Sequence, residues 1–296
     1  MSTPSAGIRE RLHRLSSEPV SVQEALRTIG LTAFASGVLL VTLFPLYWTL
    51  NTSFKPPAET QTTPPTFVPE TFTLQGYVNV LTESGGAEVL THSAIVSVGA
   101  TALAILIGVP AGYAYARNPG RVGGKHAAFW ILSIRMFPPI APILPLFFIF
   151  RQLSLVDTFP ARVLLYLTFN VPLVVWLMRS FFQDVPQAVE EAALMDGYSR
   201  FQAFYKVALP LVTPGLVATT LLVWVFSWNE FQFALVFTRS SAQTYPVLIP
   251  SLVGGHATLW NQIAALTTMA MLPVVAISLL MQRRLIRGLT LGAVKG

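Results

Sequence analysis

The sequence predicts an all-α integral membrane protein with six transmembrane helices, on three observations. Of its 296 residues, 53% are hydrophobic and only 11% charged, against about 25% charged in soluble domains, and mean hydropathy is +0.60. Six apolar stretches are long enough to cross a bilayer core of roughly 30 Å, which takes about 20 helical residues. Lysine and arginine gather in alternate connections. Fourteen lie in the N-terminal region, the 117–125 turn, the 179–206 segment and the tail, and four (Lys55, Arg151, Arg162, Arg239) lie in the others. The positive-inside rule then makes both termini and the 179–206 segment cytoplasmic. No internal repeat divides the chain into inverted halves, and 1–296 reads as a single transmembrane domain.

Composition also excludes functions. A formal charge of +6 comes from basic residues dispersed between apolar stretches, not from a patch with interleaved aromatics, so nucleic acid is not the partner. With no cysteine there is no disulfide, thiolate catalysis or Cys-based metal site, and His13, His92, His126 and His256 lie too far apart for ligand spacing.

The elements follow in order. Ile29–Leu50 is a retained first span: its apolar run exceeds the roughly 7–15 residues of a signal-peptide core, and no A-x-A site follows. Asn51–Glu88, with Pro56, Pro57, Pro64, Pro65 and Pro69, is an extended external loop carrying a short surface helix at Phe72–Leu81. Val89–Tyr115 is the second span, and its Gly108-x-x-x-Gly112 pattern lets helices approach closely. In the basic turn that follows, Gly124-Lys125-His126 lacks the Ser/Thr and the spacing of a phosphate loop, and no strand precedes it. His126–Phe150 is the third span, with Arg135 inside it and prolines at 138, 139, 142 and 145. Such prolines free backbone groups, tolerated where protein or a cavity covers them. Ala161–Met178 is a short fourth span whose flanking Arg162 and Arg179 can snorkel. Leu211–Phe237 is the fifth, Arg239–Trp260 an external loop, Asn261–Met281 the sixth span, and Gln282–Gly296 a basic tail.

The cytoplasmic segment 186–210 is the most informative stretch. Ala188–Met195 are good helix formers, and Asp196-Gly197 stops them because glycine takes the left-handed conformation at a helix end. Phe201, Phe204, Tyr205 and Val207 then recur at helical spacing before Pro210. Two short helices meeting at a glycine turn, with apolar residues left for burial, are expected.

Glu191-Ala192-Ala193, three residues, Gly197, nine residues, then Val207-Ala208-Leu209-Pro210 resembles the EAA motif of permease subunits in bacterial ATP-binding cassette (ABC) importers, with valine in place of isoleucine. Phe137-Pro138-Pro139, Phe169-Asn170-Val171-Pro172, Ser227-Trp228-Asn229-Glu230-Phe231 and the ending Arg287–Gly296 resemble the MalG-like, maltose-type permeases of carbohydrate uptake. The resemblance implies a MetI-like, type I importer fold and a non-enzymatic subunit that binds no cofactor, with ATP and Mg held by a partner. It implies a second homologous permease, two cassette ATPases, an external solute-binding protein, a di- or oligosaccharide cargo and a place in the bacterial inner membrane among its lipids. It implies that 186–210 is a coupling segment: Glu190 and Glu191 facing basic residues of the ATPase, Ala192 and Ala193 permitting close approach, Asp196 and Gly197 setting the bend, and Phe201, Phe204 and Leu209, beside Val207 and Pro210, packing on the permease's own cytoplasmic ends. The permease tail can also reach the ATPase in this subclass.

Ionisable groups inside spans face a bundle interior or a water-filled cavity. At about 1.5 Å per residue, Arg135 lies roughly 14 Å and Glu230 roughly 26 Å from the cytoplasmic side, so the two are expected to have separate partners. Asn229, Glu230 and Gln232 beside Trp228 suit a sugar's hydroxyls and apolar ring edge, or a polar clasp to a partner permease, and Asn170 is a further pathway candidate. Other readings stand beside these: an importer of glycerol phosphate or a polyamine, or a secondary transporter or channel. An intramembrane enzyme lacks a catalytic constellation.

Overall fold

The structure, a computed structural model, describes residues 22–118, 120, 126–138, 140–254 and 259–293, with the backbone alone described for 22, 24, 25, 127, 128 and 282–293. All of the regular structure among them is helical, and the chain divides into two compact units, Met1–Asn51 and Thr52–Gly296.

Helix α1 (Val22–Ser53) accounts for the described part of the first unit. Its stretch Leu26–Ser53 is apolar around the whole circumference, which suits a helix surrounded by lipid.

In the second unit, α2 (Gln75–Thr82) occupies most of the expected surface helix. Then come α3 (Gly86–Arg117), α4 (Ala127–Met136), α5 (Ile140–Gln152) and α6 (Phe159–Gln183). The segment after α6 forms α7 (Gln187–Met195) and α8 (Arg200–Leu211), followed by α9 (Thr213–Trp228), α10 (Gln232–Phe237), α11 (Tyr245–Ser251) and α12 (Trp260–Ala293).

Two expected spans are not single helices. The third is two helices, α4 and α5, set at 91° because Pro138 and Pro139 supply no N–H to continue the ladder. The fifth ends at Trp228 and resumes at Gln232 as α10. At its start, α8 meets α9 at 78°, with Pro214 in the first turn of α9, where a missing donor costs nothing. Among the described residues four helices are long and apolar enough to cross a membrane, and up to six if each bent pair is one span. The sixth helix also runs on beyond Met281 through Ala293, into what composition marked as tail. Its closing residues 294–296 lie outside the described residues, as do 1–21, most of the 117–125 turn and 255–258.

The centre is the parallel pair α3 and α6, in which Gly99, Gly108 and Gly112 meet Val163, Val174 and Met178 in turn. Lipid gives helices no hydrophobic reason to associate, so close van der Waals approach has to, and glycine provides it. A Cβ on Gly108 would lie 2.6 Å from Val174 Cβ, and one on Gly112 would lie 3.0 Å from Met178 Cβ and from Arg179 N. Three apolar clusters surround this pair. One joins Val174, Met178 and Phe182 of α6 to Ala208, Val212 and Val223. A second joins α2, α9, α11 and α12 through Val80, Trp224, Trp228, Leu248 and Leu266. The third joins α3, α5, α6 and α10 through Val96, Ile143, Tyr166 and Phe237.

Carboxylates organise two loops. Glu59, in a 3₁₀ turn at Pro57–Gln61, accepts from Thr66 Oγ1 at 2.8 Å and Glu70 N at 3.0 Å, and Lys55 Nζ donates to Thr66 O. Asp157, between α5 and α6, accepts backbone N–H bonds from Arg239, Ser240, Ser241 and Ala242 at 3.0–3.3 Å. Its φ of +63° is the left-handed conformation that Asp tolerates better than most residues. Partial burial disfavours the Asp157 carboxylate, yet the four N–H groups outweigh it and hold the carboxyl below its usual range.

Gly108→Leu is expected to lower stability by about 1–3 kcal/mol through overpacking, read as thermal unfolding in detergent. Gly99→Ala, whose Cβ would sit at an ordinary 3.4 Å from Val163 Cγ2, should be tolerated. Because Asp157's folded-state pKa is depressed, its stabilisation is present above the ordinary aspartate value near 4 and lost as pH falls through the lower folded value. The melting temperature of the wild type should therefore drop more steeply than that of Asp157→Asn as the pH is lowered below about 4.

Candidate coupling surface and membrane cavity

The segment from α7 to α8 takes the expected form, two helices at a glycine turn. Gly197 has φ +86°, and the turn is closed by Gly197 N to Leu194 O at 3.1 Å and Tyr198 N to Ala193 O at 3.0 Å. Ser199 and Gln202 form a reciprocal capping box that starts α8. Within α8, Phe204–Ala208 is a π segment in which Leu209 N–H reaches back to Phe204 O. Phe204 and Leu209 pack on the first cluster, Val207 is half-buried, and Pro210 is exposed.

Glu190 corrects an expectation. It is 6% exposed and points into the protein, where its Oε2 accepts from Tyr113 Oη at 2.6 Å. Its Oε1 takes Arg117 Nε at 2.8 Å and Nη2 at 2.5 Å, and the same Nη2 donates to Val185 O. Glu190 and Ala193 are three residues apart and share the inner face of α7; Glu191, Ala192 and Asp196 are exposed. The carboxylate is thus already paired with the C-terminal end of α3 and cannot also face a partner's basic residues. Phe201 likewise faces outward: its ring touches Phe204 on the same helix, but it is 74% exposed, beside Met195 at 89% and Tyr205 at 61%. Helical spacing revealed that apolar residues recur, but not which of them face outward.

The membrane candidates separate. Trp228 is buried, donates Nε1–H to Ala270 O at 3.1 Å and stacks on Trp224; it is a core residue rather than a pathway one. Asn170 is fully buried and donates to Ser227 Oγ at 2.7 Å, tying α6 to α9. In both cases a donor in an apolar layer is held by an acceptor on a neighbouring helix, while the buried Asn170 Oδ1 has no hydrogen-bond partner among the described residues. Asn229, exposed, accepts from Tyr245 Oη at 2.7 Å, and Gln232 is exposed. Glu230 spends both oxygens on its own chain, accepting from Phe233 N at 2.8 Å and Ala234 N at 3.1 Å. The break after Trp228 leaves the first N–H groups of α10 without helical partners, and an acidic side chain at a helix N-terminus meets that need.

Arg162, expected to snorkel, is fully buried, with its guanidinium over the Phe159 ring. Arg135 and Glu230 have separate partners, as expected. Arg135 Nη1 donates to Phe169 O at 2.9 Å and the guanidinium lies 4.4 Å from the Phe226 ring centre. Arg135 also lines a cavity of about 420 Å³ between α4, α5, α6 and α10. This cavity was not evident in the sequence, although the Arg135 and double-proline combination was its signal. Among the described residues no group of His, Cys, Asp and Glu could hold a metal ion.

Residues 104–291, spanning the α3–α6 pair, the α7–α8 segment and the cavity, match the family described as the binding-protein-dependent transport system inner membrane component. The chain belongs to that family. Its members are membrane subunits of ABC transporters rather than enzymes. The permease is 37% identical over 259 residues to the trehalose transport system permease protein SugB of Mycobacterium tuberculosis, covering 86% of this chain and 93% of that one. It is 34% identical over 283 residues to the trehalose/maltose transport system permease protein MalG of Thermococcus litoralis, at 93% and 99% coverage. It is 36% identical over 281 residues to the sulfoquinovosyl glycerol transport system permease protein SmoH of Agrobacterium fabrum, at 90% and 97%. A bacterial ABC transporter that imports the acidic polysaccharide alginate contains a chain of the same fold, with TM-score 0.71 and 23% identity over 90% of the permease and 99% of that chain.

Removing one partner of a buried ion pair leaves the other charge uncompensated, at a cost of about 3–5 kcal/mol. Arg117→Ala is therefore expected to destabilise the permease by that amount in thermal unfolding. The double variant Arg117→Ala/Glu190→Ala should cost much less than the sum of the two single changes.

Proposed function

We propose that this chain is the transmembrane permease subunit of an ATP-driven importer of a di- or oligosaccharide, and that α7 and α8 form its coupling surface for a separate ATPase. The observation that carries the coupling reading is the division of labour on α7 and α8. Glu190 and Ala193 fasten the segment inward, while Glu191, Ala192, Asp196, Met195, Phe201 and Tyr205 form an exposed, partly apolar outer face on the far side. An apolar surface of this kind, rimmed by charge and predicted to be cytoplasmic, marks a protein contact. Gly197 sets the bend between its two halves, and Val207, Leu209 and Pro210 carry it into α9. The sugar cargo is supported by the relatives, whose names specify trehalose, trehalose/maltose and sulfoquinovosyl glycerol.

The mechanism follows from the packing. Nucleotide-driven movement of an ATPase displaces α7; the Glu190 clasp passes the displacement to α3, and the glycine-lined contact passes it from α3 to α6. ATP and Mg belong to the two cassette ATPases, and this chain supplies no ligands for either. A second homologous permease completes the pathway, and an external solute-binding protein delivers cargo to the loops at 51–88 and 239–260. The permease lies in the bacterial inner membrane with both termini cytoplasmic, as the distribution of lysine and arginine indicates.

Met195→Asp, which puts a charge at the centre of the outer face without touching the fold, is expected to cut ATPase co-purification and cargo-stimulated ATP hydrolysis by about tenfold or more. Undiminished stimulation would remove α7 from the coupling role.

A further inference from the structure

The cavity at the break between α4 and α5 has the chemistry of a ligand site. Its volume of about 420 Å³ falls in the range of roughly 300–1,000 Å³ typical of small-molecule pockets, which combine apolar walls with a few placed polar groups. The apolar wall is aromatic. Phe169 and Phe233 lie 6.2 Å apart with ring planes 8° from parallel, and Phe137 adds a third ring. The polar groups are the hydroxyls of Ser133 and Thr168 and the guanidinium of Arg135.

Arg135 decides which ligand fits. A guanidinium has five N–H donors in a rigid fork. Here Nη1 donates to Phe169 O and the planar group rests over Phe226, while among the described residues no carboxylate lies within ion-pair distance of it. A cation in an apolar layer without a counter-charge is costly, and an anionic ligand removes that cost through a charge-assisted, two-point hydrogen bond.

We infer that this cavity is a subsite for an acidic sugar unit, whose carboxylate is held by Arg135 while the sugar ring lies against Phe169 and Phe233. The inference rests on the carbohydrate-importer reading and narrows its cargo to sugars that carry a negative charge. Arg135 is the specificity-determining residue of the subsite, because a neutral sugar would leave its charge unmatched.

The test uses the complete importer in cells, supplied with digalacturonate and maltobionate as acidic disaccharides and with maltose and trehalose as neutral ones. The expected result is uptake of an acidic disaccharide that falls about tenfold or more in Arg135→Gln, chiefly through KM, and recovers partly in Arg135→Lys. Equal uptake of a neutral disaccharide by the wild type and Arg135→Gln would overturn the subsite and leave the importer reading standing. Uptake of none of the four, with a non-sugar solute carried instead, would overturn both. The chain has no cysteine, so Ser133→Cys gives a clean second measurement. Labelling by a small charged thiol reagent, slowed by digalacturonate, is expected. Complete protection in the assembled importer without sugar would show that a partner chain fills the cavity, and would overturn the proposal.

Discussion

Lipid offers a peptide N–H or C=O no partner, and this chain interrupts its helices inside apolar stretches; the rest of the structure answers that constraint. The interruption after Trp228 is met by Glu230, which caps α10 with both oxygens. In α6, Pro172 withdraws the N–H that would reach Thr168, and the adjacent carbonyl, that of Phe169, takes a bond from Arg135. Charged side chains within the spans thus do backbone work. Arg135 does so while keeping donors in reserve, and for that reason it stands apart from Glu230.

Local and periodic features were legible in the sequence. Composition gave the membrane class, the placement of Asp196-Gly197 gave the turn, and the small-residue pattern in α3 gave a close helix contact, realised as the approach of Gly108 to Val174. Features that depend on distant partners were not. Glu190 and Arg117 are 73 residues apart, and nothing in either neighbourhood announces the other, so an exposed acidic pair was expected where one member is buried. Trp228, Asn170 and Arg162 share this history. A polar side chain in an apolar run signals a need for a partner, but its kind and position come from packing.

The breaks fell between these cases. Pro138 and Pro139 announced that the third span could not be regular, yet whether a double proline kinks a helix or ends it depends on what covers the freed groups. Here the two halves diverge by 91°, and the angle opens the cavity that Arg135 lines. Without it, α4 would continue as one rod and Arg135 would need another outlet for its charge.

The π segment at Phe204–Ala208 has a geometric effect beyond its hydrogen bonds. A π turn contains one more residue than an α turn, and each residue advances a helix by about 100°. The extra residue sets the exposed Phe201 end of α8 out of phase with the buried Ala208 end, so the azimuth at which the outer face points is stored in the backbone register and not in any side-chain contact. Tightening those five residues into ordinary α-helix would turn one end against the other by about a quarter of a revolution, with no change in sequence.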